Sequence, residues 1–498
     1  MAGGILQIVA IGIQDLYLSG DPQITFFKIV YRRHTNFAVE SVIQNLSGQI
    51  NFGETVTCSL SHNGDLVGKI FLYVKIPAIY KPVGSDNFIF AWARNLGYVM
   101  LQDLSLMIDD ELIDRQYGEW LYIWSQLTNN QTLGIDKMTG NVPAMFDFSE
   151  KKSDYELYIP LEFWFCRNYG VSLPIVALSE SDVKIIITFR RVEECYRIGP
   201  TYYLEVMEDV IPFKTGDYIY QTINGQTVYG YFVNYDYLQK RLYYTKITNQ
   251  PKNFETTSNH TLINDYRIYD VQNNYYCTPK LNSRETNVTN YFIKPMLINS
   301  FLYVNYVYLD VSERIKFVKT NHEYLIEQVQ FNQELNVNSS NVKQKLMLNH
   351  PCKTHYWIIQ LEGITGSGTL NEHFYYGNSY FYDLKAQSIL KNANLMLNGK
   401  SRFGERSYEY FNYVQPYQHH YRGPKTGINV YSFSTNPEDY QPSSSLNMGQ
   451  IDQINMMMKL SHNINSNRPV RIRSYTTNYN ILRIFMGLGR LAFIDDKK

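Results

Sequence analysis

An alternating run, Lys69-Ile70-Phe71-Leu72-Tyr73-Val74-Lys75-Ile76, lies in the first fifth of the chain and ends at Pro77. Its aliphatic residues would all point to one face of a β-strand, and the lysine and aromatic residues to the other. The same alternation recurs in 183–190 and again in 469–473, near the C-terminus. Strands are therefore predicted at both ends of the chain.

The segment from Leu104 to Ile113 predicts a hairpin whose turn holds Asp109 and Asp110. The cluster Asp109, Asp110 and Glu111 could also be a metal or acid/base group, but Asp adopts the dihedral angles of a tight turn, which favours the hairpin. Helical periodicity is scarce, and 118–124 predicts only one or two turns. Many short strands separated by Gly, Pro, Asn and Asp indicate sandwiches or barrels.

The bulk composition agrees with this interpretation. The chain has 498 residues, which suits two or three domains. Its 44 Tyr and 26 Phe favour pleated, half-buried surfaces. Basic and acidic residues balance at 46 each, whereas proteins that contact nucleic acid through phosphates usually carry a basic excess. We therefore expect no direct nucleic-acid partner.

The five cysteines are widely spaced and form no CxxC pair. This excludes the usual zinc and disulfide patterns and predicts synthesis in a reducing cytoplasm. The first thirteen residues are apolar but lack a basic n-region and are too short to span a membrane. We predict either an N-terminal arm that docks on a neighbour, over residues 1–24, or a first core element.

The middle of the chain, from about Cys195 to Ile298, is rich in Tyr and Asn. Short alternating runs such as 227–233 interrupt it. Structureless loops of this length are rare. We therefore predict a large inserted loop region with some strands of its own.

No pattern of catalytic or cofactor-binding residues emerges. Neither His350 with His355 nor the adjacent pair His419 and His420 has metal-ligand spacing, so turn or surface histidines are expected. The stretch 363–369 (GITGSGT) lacks the Lys-Ser/Thr ending of a phosphate loop and predicts a surface loop. A basic run, 31–34, could bind phosphate or an acidic neighbour, but a solvated strand end or interface ion pair is more usual. The sequence predicts no catalytic, metal or cofactor site, and hence no enzyme.

One run, Asp21-Pro22-Gln23-Ile24-Thr25-Phe26-Phe27-Lys28-Ile29-Val30-Tyr31-Arg32-Arg33-His34-Thr35-Asn36-Phe37, strongly resembles the opening signature of major capsid proteins of nucleocytoplasmic large DNA viruses. Further blocks resemble that family in its own order. They are Asp114–Leu121, Leu173–Leu178 (similar to a strand of the first roll), Tyr308–Arg314 with His322–Gln328 (similar to the end of that roll), Phe411–His420, Ile428–Phe433 and Asn436–Ser443.

The resemblance implies an all-β fold of two tandem jelly-roll sandwiches, a double jelly roll. The first roll would span residues 25–325 with the insertion at about 195–298, and the second 326–498. Three chains would form a pseudo-hexameric homotrimer, a capsomer that tiles an icosahedral shell in the virion. The implied partners are other copies, neighbouring capsomers, minor capsid proteins and, through outer loops, a host receptor or glycan.

Two blocks depart from the family pattern. Residues 443–450 (SSSLNMGQ) replace a Ser-Gly-Thr-Cys-Asn-Phe-Ser-Arg-like run, and Arg490 stands where the family favours a small residue. These departures keep open an alternative, a minor or paralogous capsid protein whose inserted loops mainly bind a receptor or glycan. A carbohydrate-active enzyme on a β-sandwich would need paired carboxylates across a cleft, and the sequence does not identify such a pair.

Overall fold

The computed structural model describes residues 10, 12–14, 21–23, 25–29, 33–85, 87–128, 132–247, 253–288, 293–365, 370–380, 382–383 and 385–493. The predicted N-terminal arm, residues 1–24, therefore lies almost entirely outside the described residues.

Antiparallel strands dominate the chain. The first part contains β1 (Phe37–Asn45), β2 (Thr55–Ser59), β3 (Leu66–Ile76), β4 (Ile79–Tyr80), β5 (Ile89–Trp92), β6 (Leu101–Ile108), β7 (Glu111–Tyr117), β8 (Lys151–Lys152), β9 (Tyr155–Pro160), β10 (Val183–Phe189) and β11 (Tyr196–Gly199). The middle contains β12 (Tyr202–Glu205), β13 (Tyr218–Ile223), β14 (Gln226–Asp236), β15 (Arg241–Lys246), β16 (Ile268–Asp270), β17 (Tyr276–Cys277) and β18 (Thr286–Asn287).

The last part begins with the strand that returns to the first sandwich. It contains β19 (Asn299–Leu309), β20 (His322–Val337), β21 (Asn341–Lys345), β22 (Pro351–Leu361), β23 (Leu390–Leu397), β24 (Lys400–Ser401), β25 (Arg406–Ser407), β26 (Ile428–Ser432), β27 (Leu446–Asn447), β28 (Ile454–Leu460), β29 (Val470–Phe485) and β30 (Leu488–Leu491).

Helices are short and lie between strands. The α-helices are α1 (Leu96–Val99), α2 (Gly118–Thr128), α3 (Thr132–Met138), α4 (Pro143–Phe146), α5 (Trp164–Arg167), α6 (Val311–Lys319) and α7 (Gln415–His419). Single turns of 3-10 helix occupy Tyr169–Val171, Ile175–Ala177, Val192–Glu194 and Met448–Gln450, a longer one occupies His260–Tyr266, and Tyr410–Val414 is a π-helical turn.

The strands form two sandwiches of facing sheets, with four strands in each sheet of the first and, counting β27, β30 and β25 at the margins, six and five strands in the sheets of the second. The first pairs β1-β19-β3-β9 with β2-β10-β6-β7, and the second pairs β20-β29-β22-β26 with β21-β28-β23-β24. The predicted alternation is confirmed in β10, where every second residue from Val183 is buried, and the predicted hairpin is β6–β7. This is the double jelly roll that the family resemblance implied.

The insertion is more ordered than a loop region. Residues 202–287 form a seven-stranded sheet in the order β17-β16-β13-β14-β15-β12-β18. It has its own small core, which includes Leu204, Ile219, Leu242, Tyr244 and Ile268. Inserted residues that carry a third core can hold a fixed shape away from the two rolls.

One predicted strand is wrong. Leu173 makes a single bridge to Val67, and Ile175–Ala177 is a 3-10 turn instead of a strand. Pro174 has no backbone N–H and a fixed φ, so it cannot extend the ladder.

The predicted boundary at 325/326 stays a prediction, although the sheets favour an earlier one. Strand β20 pairs with β29 from His322↔Ile484 to Val337↔Val470, so it lies in the second roll. The block 322–328 was expected to end the first roll. Helix α6 is therefore the better place for the boundary.

Candidate assembly surfaces

The hydrophobic core of the first roll continues into the second roll, which also has a core of its own. Trp120, on α2 of the first roll, packs against Tyr356 and Tyr475 of the second, with ring centroids 5.1 and 6.0 Å apart. Ile326 and Val329 of β20 belong to the same cluster as the first-roll strands. Because interiors pack as densely as organic crystals, a shared core of this kind makes the two rolls one stiff unit.

A buried charge cluster lies at this junction. Glu119, 7% exposed on α2, accepts hydrogen bonds from the Arg473 guanidinium at 2.7 Å, the Tyr475 hydroxyl at 2.8 Å and the Tyr376 hydroxyl at 3.1 Å. Burial, together with the Glu119 charge, raises the pKa of both tyrosines well above its ordinary value. They therefore stay protonated as donors.

Two further carboxylates bridge the rolls, Asp114, which is buried, and Glu327, which is partly buried. Asp114 of β7 accepts from the Val329 backbone N–H at 2.9 Å, and burial raises its pKa to about 6. Glu327 of β20 accepts from Arg167 at 2.7 Å and from Lys353. The Asp114–Val329 and Arg167–Glu327 contacts cross from one roll to the other, whereas Lys353 and Glu327 both belong to the second roll.

The base of the insertion is tied to the second roll in the same way. Arg197 of β11 donates to Glu372 at 2.8 Å, and both side chains are 5% exposed. Asn371 donates to the Glu193 and Tyr196 carbonyl oxygens, and His373 contacts that of Glu194. The inserted sheet is thereby held on a fixed base.

The outer face of the first roll carries an aromatic cluster. Tyr73, Tyr158, Phe301 and Tyr303 lie on neighbouring strands of the sheet β1-β19-β3-β9, and Tyr73 stacks on Phe301 with a centroid distance of 4.5 Å. Tyr158 and Tyr303 are 5.2 and 6.2 Å from Tyr73. Aromatic pairs of this kind stabilise a protein by more than the burial of their apolar area alone.

Apolar residues of edge strand β1 extend this cluster. Ile43 lies opposite Tyr303, and Val39 opposite Val307. Phe37, Val39 and Ile43 are 59, 42 and 51% exposed in the single chain. We call these three residues and the aromatic cluster the lateral face.

Charged groups border the lateral face at the side of the sheet away from strand β1. Lys75 pairs with Asp154 at 3.3 Å and with Glu156 at 3.6 Å, all partly exposed. An apolar centre with a polar rim is the usual anatomy of a protein–protein interface.

The segment with the family signature is also uncovered. Phe26, Phe27 and Ile29 are 91, 98 and 94% exposed. Three large apolar side chains so close together are unusual on a free surface, and they fit a segment that packs against another molecule.

The prediction of turn or surface histidines is wrong for His355, whereas His420 lies at a turn position with a buried side chain. His355 is buried in β22 beside Thr476, at 2.8 Å, and burial lowers its pKa to about 3. His420 follows α7 and bonds Glu438 at 2.6 Å, both side chains being buried. His350, with φ 61°, and His419, which contacts the Thr435 carbonyl oxygen, do lie in turn or helix-end positions.

The acidic cluster forms the predicted turn. Asp109 has φ 54° and accepts hydrogen bonds from the Ser181 hydroxyl and the Asp182 N–H. The stretch 363–369 is described only to Thr365, where Ile364 is buried in the second core. Of the basic run, residues 31 and 32 lie outside the described part, and Arg33 and His34 are exposed.

Sequence reasoning missed Glu119, Arg473 and Glu372. The available signal was the pair Arg471 and Arg473, two residues apart in the alternating run 469–473. Alternation alone does not give their partners, which are Gln360 and Thr365 for Arg471 and Glu119 of the first roll for Arg473. A lone Glu119 within an aromatic helix was a second signal.

The five cysteines are all buried as free thiols. Within the described ranges, no group of three or more His, Cys, Asp or Glu side chains could hold a metal ion. The same residues include no helix long and apolar enough to cross a bilayer.

Comparisons with known proteins agree with this geometry. Residues 25–239 match the model of the major capsid protein N-terminus, and residues 313–490 that of the large eukaryotic DNA virus major capsid protein. The chain is 54% identical to probable capsid protein 4 of Acanthamoeba polyphaga mimivirus over 99% of both chains. It is 31% identical to the major capsid protein of Phaeocystis pouchetii virus, over 99% of this chain and 100% of that one.

Solved structures show the same fold. The Faustovirus major capsid protein superposes with a TM-score of 0.66 at 10% identity, covering 97% of this chain and 96% of that one. A capsid chain of the virus PBCV-1 superposes with a TM-score of 0.62 at 23% identity, covering 95% and 100%. With two jelly rolls, a shared core and relatives of this identity over its whole length, the chain belongs to the major capsid protein family of the large eukaryotic DNA viruses, and it is a structural protein of the virion shell.

Proposed function

We propose that three copies of this chain form a pseudo-hexameric homotrimer that tiles the icosahedral shell of a large double-stranded DNA virus. The observation that carries the proposal is the lateral face, where Phe37, Val39 and Ile43 are exposed beside a stacked aromatic cluster. Such apolar area on one side of a stiff molecule favours association with a second copy.

The number of rolls in each chain accounts for the pseudo-hexameric shape of the proposed trimer. Two similar sandwiches per chain put six around a three-fold axis. A closed ring buries head-to-tail interfaces and leaves no unpaired end. Neighbouring trimers and minor capsid proteins would contact the remaining sides. The balance of 46 basic and 46 acidic residues supports a shell without direct nucleic-acid contact.

Light scattering on a sizing column tests the proposal. We expect a species of three times 58.4 kDa. Ile43→Glu should shift it towards monomer, because a carboxylate would be buried without a partner. Leu238→Glu is the control, since Leu238 is 81% exposed in the turn between β14 and β15.

Two results would contradict the proposal. A wild-type protein that stays monomeric at all concentrations would exclude a self-sufficient trimer. A trimer that tolerates Ile43→Glu as well as Leu238→Glu would show that the lateral face does not carry the contact.

A further inference from the structure

A row of tyrosines crosses the outer face of the inserted sheet. Tyr276, Tyr269, Tyr220 and Tyr229 occupy paired positions on β17, β16, β13 and β14. Successive ring centroids are 5.9, 5.8 and 6.2 Å apart, and Tyr380 of the second roll follows at 6.0 Å. We call these five residues the tyrosine ladder.

The ladder is not the core of the inserted sheet. That core lies on the opposite face, where Ile219 and Gln221 alternate with Tyr220 and are buried. Tyr276 is 42% exposed, and Tyr269 and Tyr220 are half-buried. At the other end Tyr229 packs against the second-roll core, and Tyr380, 7% exposed, belongs to that core. The Arg267 guanidinium lies 4.0 Å from the Tyr276 ring centre. The accessible rings of the ladder are therefore those of Tyr276, Tyr269 and Tyr220, while Tyr229 and Tyr380 fix its end against the second roll.

The ladder ends in a cleft between the insertion and the second roll. The cleft measures about 740 Å³ and is bounded by Gln226 and Tyr229 on one side and by the segments 362–365 and 463–471 on the other. Its wall is rich in amides, with the exposed side chains of Asn465 and Asn467. Its size is within the range of small-ligand sites.

The charges of the cleft are largely occupied. Arg468 donates to Asn378 and stacks on Tyr380, and Arg471 donates to Gln360 and Thr365. The Asn465 amide is itself bonded to the Asn463 carbonyl oxygen and the Asn467 N–H. What the cleft offers a ligand is therefore chiefly the amide oxygens of Gln226 and Asn463, which accept no hydrogen bond from the described residues, and the exposed carboxylate of Glu362.

Aromatic rings in series beside planar amide and carboxylate groups match the chemistry of a sugar chain. A pyranose presents an apolar C–H face to a ring and hydroxyl groups at its edge. Asn and Gln side chains both donate and accept hydrogen bonds, which suits hydroxyls. A phosphate or sulfate would need free cationic donors instead. We propose that the tyrosine ladder and its cleft bind a neutral oligosaccharide.

The test uses the purified full-length protein with three neutral probes, chitotriose, cellotriose and maltotriose, and one acidic probe, sialyllactose. Saturation-transfer NMR at about 10 mM sugar detects even weak, millimolar complexes. We expect at least one neutral probe to bind. Tyr220→Ala and Tyr276→Ala should each weaken that binding about tenfold, the equivalent of about 1.4 kcal/mol.

Tyr237→Ala is the matched control. Tyr237 is 69% exposed in the same inserted region but lies outside the ladder, so its removal should leave binding unchanged. Circular dichroism verifies that each variant is folded. Absence of binding by every neutral probe, including the case in which only sialyllactose binds, would overturn the proposal. So would binding that both ladder variants retain. The inference does not depend on the trimer, because it concerns a site within one chain.

Discussion

Replacing Glu119 with alanine tests whether the buried charge cluster holds the two rolls together. The change removes the acceptor of Arg473, Tyr475 and Tyr376 at once. Among the described residues, Arg473, 16% exposed, would keep Glu334, at 3.7 Å, as its one ionic partner. Removing one member of a buried ion pair costs about 3–5 kcal/mol, because the remaining charge stays desolvated.

Two tyrosine hydroxyls would also lose their acceptor, and each buried donor left without one costs about 1–3 kcal/mol. These losses do not add fully, because the groups share one site. We therefore expect a decrease of about 3–5 kcal/mol in the free energy of unfolding of the junction.

The assay is urea unfolding followed by tryptophan fluorescence, at one protein concentration because association changes apparent stability. Trp120 contacts Tyr475 and so reports on the junction. The control is Glu323→Ala. Glu323 pairs with Arg483 at 2.8 Å, but both side chains are about three-fifths exposed (62 and 59%). A surface pair of this kind is worth less than about 1 kcal/mol.

A double variant separates the charge from the packing. Glu119→Met with Arg473→Met removes both charges, and it should be less destabilised than Glu119→Ala. The reasoning would be refuted if Glu119→Ala cost no more than Glu323→Ala, or if the double variant were the worst of the three.

Two further predictions concern packing and pH. Gly118→Ala should destabilise the protein by more than about 1–3 kcal/mol, since a Cβ there would lie 2.0 Å from the Tyr98 carbonyl oxygen. Gly134→Ala, on α3 with only a sulfur at 3.8 Å, should instead stabilise by up to about 1 kcal/mol, and the denaturation midpoints of the two variants check this. Below pH 6.5 stability should fall by about 1.4 kcal/mol per pH unit on account of His355, because burial lowers its folded pKa to about 3 and protonation favours the unfolded chain. Asp114, whose folded pKa is raised to about 6, binds a proton more readily in the folded chain, and this offsets part of the loss of stability below pH 6. His355→Gln should flatten the measured dependence of stability on pH. An unchanged dependence would contradict the assignment of the loss to His355.

The alternation of apolar and polar residues predicted the strands that have one solvent-facing and one core-facing side. In β10 the alternation of residue types matches the alternation of burial, because one face meets the core and the other is partly exposed. In β3 it matches except at the outward-facing Tyr73, which its aromatic neighbours bury. The pattern failed where a backbone constraint intervened, as at Pro174. The arrangement of the strands into two jelly rolls was predicted only through the family resemblance. Pairing between strands that are hundreds of residues apart produces no local pattern in the sequence.

The candidate surfaces also include some features that the sequence predicted and others that it did not. The Tyr-rich composition of the insertion was visible in the sequence, and the tyrosine ladder consists mainly of those residues. The bonds of Glu119 and Glu372 could not be predicted, because each joins residues that are 175 or more positions apart. A buried charge is visible in sequence only when its partner is known, and only the fold supplies the partner.

The buried ions at the roll junction bear on why such a molecule can tile a shell. Apolar surfaces are tolerant of small rotations, because their attraction depends on area and not on direction. Hydrogen bonds between Glu119 and Arg473, or between Asp114 and the Val329 backbone, weaken steeply when their angle changes. Any other docking angle of the two rolls would leave these groups desolvated and unpaired. The charged contacts therefore select one angle from the many that the shared hydrophobic core would accept. A subunit that must meet identical neighbours at every position in a lattice needs that single angle.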